Sequence, residues 1–162
     1  MEYGCIGEKL SHSFSKIIHA RLADYNYELC EIPRGELDSF MKKADFKAIN
    51  VTIPYKQAVI PYLYYISDTA KKIGAVNTVV NKNGKLYGYN TDFSGLHALL
   101  VRQRADLKGG KVLILGSGGT SKTAAAVAED LGAKEIYRVS RSGSDGAITY
   151  DEAYKKHSDA TA

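Results

Sequence analysis

The sequence predicts an α/β protein in which a mixed-sheet domain is followed by a parallel β-α-β unit. Three observations carry that expectation. Short apolar runs rich in β-branched residues alternate along the chain with stretches whose apolar residues recur at helical spacing. Asn83-Gly84, between VVNK and KLYGY, supplies the positive φ angles of a tight hairpin turn, which builds an antiparallel pair into the first sheet. The run KVLILGSGGTSKTAAAVAEDLGAKEIYRVSRS has a different character: an apolar strand, a glycine turn, an alanine-rich helix and a second strand.

In chain order, the periodicity places strands near 3–6, 27–32, 47–53, 75–81 and 85–89. Helices are expected near 13–25, 35–43, 54–64 and 67–73, with Pro54 starting the third and Lys56 in its first turn. Asn90 or Thr91 can cap a helix opening at Asp92, whose apolar Phe93, Leu96, Leu99 and Leu100 precede the polar RQRADLKGG. That exit predicts a boundary, giving one domain over 1–105 and a second over 106–162. In the second, Lys111–Leu115 and Glu135–Val139 read as strands flanking a helix over Ser121–Leu131, the opening of a Rossmann-type dinucleotide fold. The 21 residues beyond Arg141 read only as a glycine-rich loop and a short polar helix, ITYDEAYKKHS. Two parallel strands are too few to complete such a fold, so the chain reads as a fragment with an incomplete nucleotide domain.

A chain of 162 residues, 44% hydrophobic and 25% charged, is long enough for one comfortable core or two small ones. Its 22 basic and 18 acidic residues are interspersed and leave a net +4, which gives a nucleic-acid partner little support and suits a small anionic ligand. The two cysteines, Cys5 and Cys30, have neither a CxxC partner nor metal-ligand spacing, so reduced core thiols and no metal are expected. No stretch approaches the roughly 18 apolar residues of a membrane span, and MEYGCIG lacks a signal pattern, so a cytoplasmic protein is expected.

Several short motifs hold chemistry. In INVTIPYK, the apolar Ile49, Val51 and Ile53 alternate with Asn50 and Thr52, and Lys56 stands at the exit. These are either ordinary end-of-strand polar residues or donors and a cation delivered to a pocket. Ser13 and Ser15 lie between the first strand and first helix, where hydroxyls and helix N–H groups jointly hold an anion such as a carboxylate, although Ser13 as a plain cap is the alternative. Asn77-Thr78 interrupts another apolar strand, and Asp92 opens a helix, where an acid complements the dipole without any further role. Gly116, Ser117, Gly118, Gly119 and Thr120 form a turn through which backbone can approach a pyrophosphate at a helix N-terminus. The second strand ends Val139-Ser140-Arg141-Ser142, without the acid that would accept the ribose hydroxyls of NAD. Arg141 with its flanking hydroxyls suits the 2′-phosphate of NADP, the alternative being a surface arginine.

SHSFSKIIH, NVTIPYK, AVNT, GYNTD and GSGGTS, in this order and at these spacings, resemble the shikimate dehydrogenase family over nearly the whole chain. The resemblance implies an oxidoreductase of aromatic amino-acid (chorismate) biosynthesis that interconverts 3-dehydroshikimate and shikimate with NADPH. It implies that Ser13 and Ser15 hold the substrate carboxylate, that Thr52, Asn77 and Asp92 bind its ring oxygens, and that Lys56 and Asp92 form the catalytic pair. Asn50 would support the loop. Gly116, Ser117, Gly118, Gly119, Thr120, Ser140 and Arg141 would hold NADP. The partners expected are the small-molecule substrate and, at most, a second copy of the chain. Lys16 stands where the family usually has proline, Ala20 where a polar residue is common, and Gly143 or Asp145 where a second basic residue often follows in the NADP loop. A quinate/shikimate dehydrogenase using NAD or NADP, and a non-catalytic ligand-binding fragment, are the alternatives.

Overall fold

The computed structural model describes residues 1–11 and 13–162, so His12 of the SHSFS motif lies outside the described residues. The chain divides into two compact units, Met1–Thr91 and Asp92–Ala162. The boundary expected at 105/106 lies just past the far end of the helix that opens at this division.

The first unit runs β1 (Tyr3–Gly7), α1 (Ser15–Leu22), β2 (Tyr27–Glu31), α2 (Leu37–Lys43), β3 (Ala48–Val51), β4 (Tyr65–Ile66), α3 (Asp68–Ile73), β5 (Thr78–Lys82) and β6 (Lys85–Tyr89). Its sheet has the order β2-β1-β3-β5-β6-β4. β1 pairs in parallel with β2 and β3, while β5 is antiparallel to both β3 and β6. The sheet is therefore mixed, with two antiparallel pairs rather than the single one expected. Between β5 and β6, Asn83 (φ 54°) and Gly84 (φ 80°) make the turn, and the Gly84 amide donates to Asn81 Oδ1 at 2.8 Å.

Side chains alternate across this sheet and give its faces different characters. Ile6, Ile49, Val51, Val79 and Leu86 pack against Leu37 and Met41 of α2 and Ala70 of α3, forming the main core. Each such side chain, fully buried, contributes roughly 1.5–3 kcal/mol. The opposite face carries a smaller cluster of Cys5, Leu10 and Tyr27 packed by Tyr3 and Tyr25. It also carries the polar pair Asn50 and Thr78, which are register partners across β3 and β5.

Residues 54–64, expected as a helix, form successive turns ending in a 3-10 turn over Ile60–Tyr62. Pro61 explains the difference. Inside an α-helix it would lack the N–H that bonds back one turn, and it disfavours the helical conformation of the residue before it. Lys56 therefore does not occupy the first turn of a helix.

The second unit contains α4 (Thr91–Arg102, beginning at the division), β7 (Lys111–Leu115), α5 (Gly119–Asp130), β8 (Glu135–Ser140), β9 (Ile148–Thr149) and α6 (Tyr150–Lys156). Its sheet has the order β7-β8-β9 and is parallel throughout. β9 is a third strand where two were expected. It pairs Ile148 with Val139 and Thr149 with Ser140, and Thr149 then caps α6. The core of this unit gathers Leu107, Val112 and Ala128 with Ile114, Leu131 and Ile136 around them.

Candidate substrate and nucleotide sites

On the Cys5 face of the first sheet, a pocket of about 430 Å³ is lined by Lys9, Ser11, Ser13, Ser15 and Thr52, with Cys5 in its wall. Three sequence-predicted residues therefore share one cavity. α1 starts at Ser15, and the Ser15 amide donates to Ser13 Oγ at 3.3 Å, so Ser13 does take one of the free amides at this helix start. Ser11 belongs to the SHSFS stretch expected to hold an anion but was not singled out within it, and Lys9 was not anticipated. Their signal was positional, because both lie on the same loop as Ser13. Three serine hydroxyls and an ammonium around a space of this size suit a carboxylate on a small ring.

Thr52 reaches the pocket because the chain leaves β3 beside β1: its amide donates to the Ile6 carbonyl at 2.9 Å. That approach requires Gly7, where a Cβ would meet Thr52 Cγ2 at 2.7 Å and the Ile53 carbonyl oxygen at 3.2 Å. Beyond Thr52, the Tyr55 amide closes a turn onto the Thr52 carbonyl at 2.8 Å, and the Lys56 carbonyl accepts the Val76 amide at 2.7 Å. Lys56 is thus pinned by backbone bonds next to the segment that carries Asn77. Its charge acts on the Cys5 thiol, which burial pushes above its ordinary range while Lys56 pulls it down.

Asn77 is buried in a dense set of bonds at the end of the same unit. Its Oδ1 accepts the Thr91 amide at 2.8 Å, and its Nδ2 donates to Thr91 Oγ1 at 3.0 Å. Its backbone joins β6 on one side and β3 on the other, through Tyr89 and Val51. Asp92, the next residue after Thr91, sits in the first turn of α4 and belongs to the second compact unit.

In the second unit a pocket of about 390 Å³ is bounded by Gly116, Ser117, Ser140, Arg141, Ser142 and Tyr150. Four of the predicted nucleotide-site residues are gathered there, while Gly118, Gly119 and Thr120 lie at the start of α5. Gly116 has φ 137°, a conformation that favours glycine, and a Cβ at Gly116, Gly118 or Gly119 would meet nothing within 4 Å. The backbone amides at the head of α5 are therefore open to an approaching anion, and the residues present fit a pyrophosphate there. Ser121 replaces the third glycine of the usual pattern; its hydroxyl turns back to the Gly118 carbonyl at 2.6 Å and locks the turn. In the following loop, Ser140 Oγ accepts the Gly143 amide at 3.1 Å, and the hydroxyls of Ser142 and Ser144 meet at 2.8 Å. Tyr150 was not anticipated, because only β9 brings it back to the pocket.

Among the described residues, no group of three or more His, Cys, Asp or Glu could hold a metal ion, and no helix is long and apolar enough to cross a membrane.

The family described as the shikimate dehydrogenase substrate binding domain matches residues 5–79. A Clostridium beijerinckii protein named shikimate dehydrogenase (NADP(+)) is 44% identical over 158 residues, covering 93% of this chain and 58% of that protein. The crystal structure of shikimate dehydrogenase 1 from Peptoclostridium difficile superposes with a TM-score of 0.85 at 38% identity, covering 96% of this chain and 64% of that one. The shikimate 5-dehydrogenase of Thermus thermophilus in complex with NADP(H) and shikimate gives 0.81 at 28% identity, covering 94% and 64%. The chain thus spans less than two thirds of the length of these relatives. With the serine-lined pocket beside β3 and the open glycine turn before α5 in one polypeptide, the chain is similar to shikimate dehydrogenases over nearly its whole length, and residues 5–79 match that family's substrate binding domain.

Proposed function

We propose that this chain provides the substrate site, and the first part of the NADP site, of an enzyme that interconverts 3-dehydroshikimate and shikimate. The observation that carries the reading is the joint presence of Ser13, Ser15 and Thr52 in one pocket, with Lys56 pinned beside it. Ser13 and Ser15 hold the carboxylate, and Thr52 and Asn77 bind ring oxygens. Lys56 supplies positive charge and a proton at the ketone oxygen as that oxygen gains negative charge, help of a kind worth about 10² to 10⁴ in rate. Asp92 is its proposed partner on the family resemblance alone. NADPH, when bound, supplies the hydride. The turn from Gly116 to Thr120 and the head of α5 hold its pyrophosphate, and Ser140 and Arg141 hold the 2′-phosphate. An arginine without an acid at the end of β8 favours NADP over NAD. A cytoplasmic location, in keeping with two free cysteines, and a monomer or homodimer complete the proposal.

Calorimetric titration of the chain with shikimate and with quinate tests the reading. Shikimate binds, quinate binds more weakly, and Ser15→Ala loosens shikimate at least about tenfold, as expected for a lost hydrogen bond to a charged group. Binding that is indifferent to Ser15→Ala, or absent from the wild type, overturns it.

A further inference from the structure

The mixed sheet carries an unbroken line of side-chain hydrogen bonds that connects the two ends of the proposed substrate site. Tyr27, on β2, donates from its hydroxyl to Asn50 Oδ1 on β3 at 2.6 Å. Asn50 Nδ2 donates to Thr78 Oγ1 on β5 at 3.3 Å. The Thr78 hydroxyl donates to Asn77 Oδ1 at 3.1 Å, and Asn77 Nδ2 ends the line at Thr91 Oγ1, 3.0 Å away. At the Thr91 end the bonds close on one another: the Thr91 hydroxyl donates back to Asn77 Oδ1 at 3.2 Å and stands 3.3 Å from Thr78 Oγ1, so the Asn77 amide is held on both its oxygen and its nitrogen.

Register explains how such a line can form. Asn50 is the partner of Cys5 on β1 and of Thr78 on β5, so the three stand abreast on one face. Tyr27 is long enough to cross β1 above Cys5, and the His19 ring stacked on it at 3.8 Å fixes its direction. The near end of the line meets the carboxylate side of the pocket. There Tyr27 stands close to Ser15, and burial pushes the pKa of its phenol up, so the hydroxyl keeps its proton for Asn50. The far end orients the Asn77 amide, since its oxygen accepts from the Thr78 hydroxyl and from both the amide and the hydroxyl of Thr91.

We infer that Asn50 and Tyr27 are positioning residues that set where the Asn77 amide stands relative to the Ser13 and Ser15 hydroxyls, and so match the site to the separation between the carboxylate and the ring hydroxyls of a small cyclic acid. The inference rests on the proposed function. Neither residue touches substrate in this account; each acts through its neighbour.

Two probes separate positioning from mere structural support: shikimate, and 1-cyclohexene-1-carboxylate, which keeps the ring and carboxylate but has no hydroxyls. Affinities for both are measured by calorimetry on wild type, Asn50→Ala and Tyr27→Phe, with thermal midpoints recorded for each. Tyr27→Phe removes one oxygen, keeps the ring on His19, and serves where Asn50→Ala folds poorly. Both variants are expected to lose about tenfold in shikimate affinity and to hold 1-cyclohexene-1-carboxylate within about twofold, the size of one lost hydrogen bond at the hydroxyl end. Adding Asn77→Ala to Asn50→Ala should then cost little more, because both act on one contact. Equal losses for the two probes, unchanged shikimate affinity, or fully additive losses with Asn77→Ala would overturn the inference while leaving the proposed function standing. Wild type that binds the simple carboxylate but not shikimate would overturn the proposed function and this inference with it.

Discussion

Gly7 shows how little room remains behind Thr52 and Leu10 of the candidate pocket. Alanine there would place a Cβ 2.7 Å from Thr52 Cγ2 and 2.9 Å from Leu10 Cδ2, two side chains of the pocket wall, with the Ile53 carbonyl behind them. A carbonyl held by the Glu8 amide yields less readily than a side chain. Gly7→Ala is therefore expected to destabilise the first unit by about 1–3 kcal/mol, as overpacking does, and to weaken shikimate binding by displacing Thr52. Urea denaturation and shikimate titration of the same variant check both. Lys56 offers a second test. Burial raises the Cys5 pKa and Lys56 opposes that rise, so Lys56→Met should move ionisation of the thiol to still higher pH. Thiolate absorbance followed against pH, on a Cys30→Ser background, measures this; an unmoved or lowered midpoint would place Lys56 too far from the pocket for the role proposed.

Among the elements, α6 depends most visibly on a single residue. Thr149 Oγ1 accepts the Glu152 amide at 3.2 Å, and Glu152 Oε2 accepts the Thr149 amide at 3.1 Å, a reciprocal capping box. Thr149→Ala should cost about 1 kcal/mol. The Thr149 amide, with help from Lys156, holds the Glu152 carboxyl below its ordinary range. A depressed carboxyl contributes stability that is present above its unfolded pKa and is lost as pH falls through its folded value. Glu152→Gln should flatten that acid-side loss in thermal midpoints taken from about pH 6 downward, roughly the window in which such a carboxyl protonates. Element by element, what the sequence disclosed followed the strength of its local signal. Asn83-Gly84 dictates its turn through positive φ, and β7 through β8 follow from an apolar run, a glycine turn and a helix in order. β9 is two residues long, too short to show a period, and exists because β8 offers it a parallel edge. The turns over 54–64 imitate helical spacing, and only the interior Pro61 betrays them. α1 is the reverse case: it is helical, yet Phe14, Ile17, Ile18 and Leu22 beside and within it are exposed, so its apolar residues do not mark a buried face.

At the scale of the whole molecule, the proposed substrate groups other than Asp92 lie in the first compact unit and the proposed nucleotide groups all lie in the second. The residue types of both sites were legible in the sequence because hydroxyls, an amide and a cation interrupting apolar strands have no packing reason to be there. The line from Tyr27 to Thr91 was not legible, since it depends on which residues stand abreast across strands β1, β3 and β5. The division of labour between the units can be tested with probes that each engage one site. Adenosine 2′,5′-bisphosphate carries the 2′-phosphate assigned to Arg141, whereas adenosine 5′-monophosphate does not. The Ser140–Ser144 loop that carries Arg141 is braced by its own hydroxyl bonds, and the arginine supplies the charge proposed for the phosphate. A charge-assisted hydrogen bond of about 1.5–3 kcal/mol corresponds to roughly a ten- to hundredfold preference. Wild type should therefore prefer the bisphosphate by that factor, and Arg141→Ala should abolish the preference while leaving shikimate affinity unchanged. Isothermal titration of both proteins with all three ligands measures it, and a preference that survives Arg141→Ala would assign the 2′-phosphate to other groups of the loop.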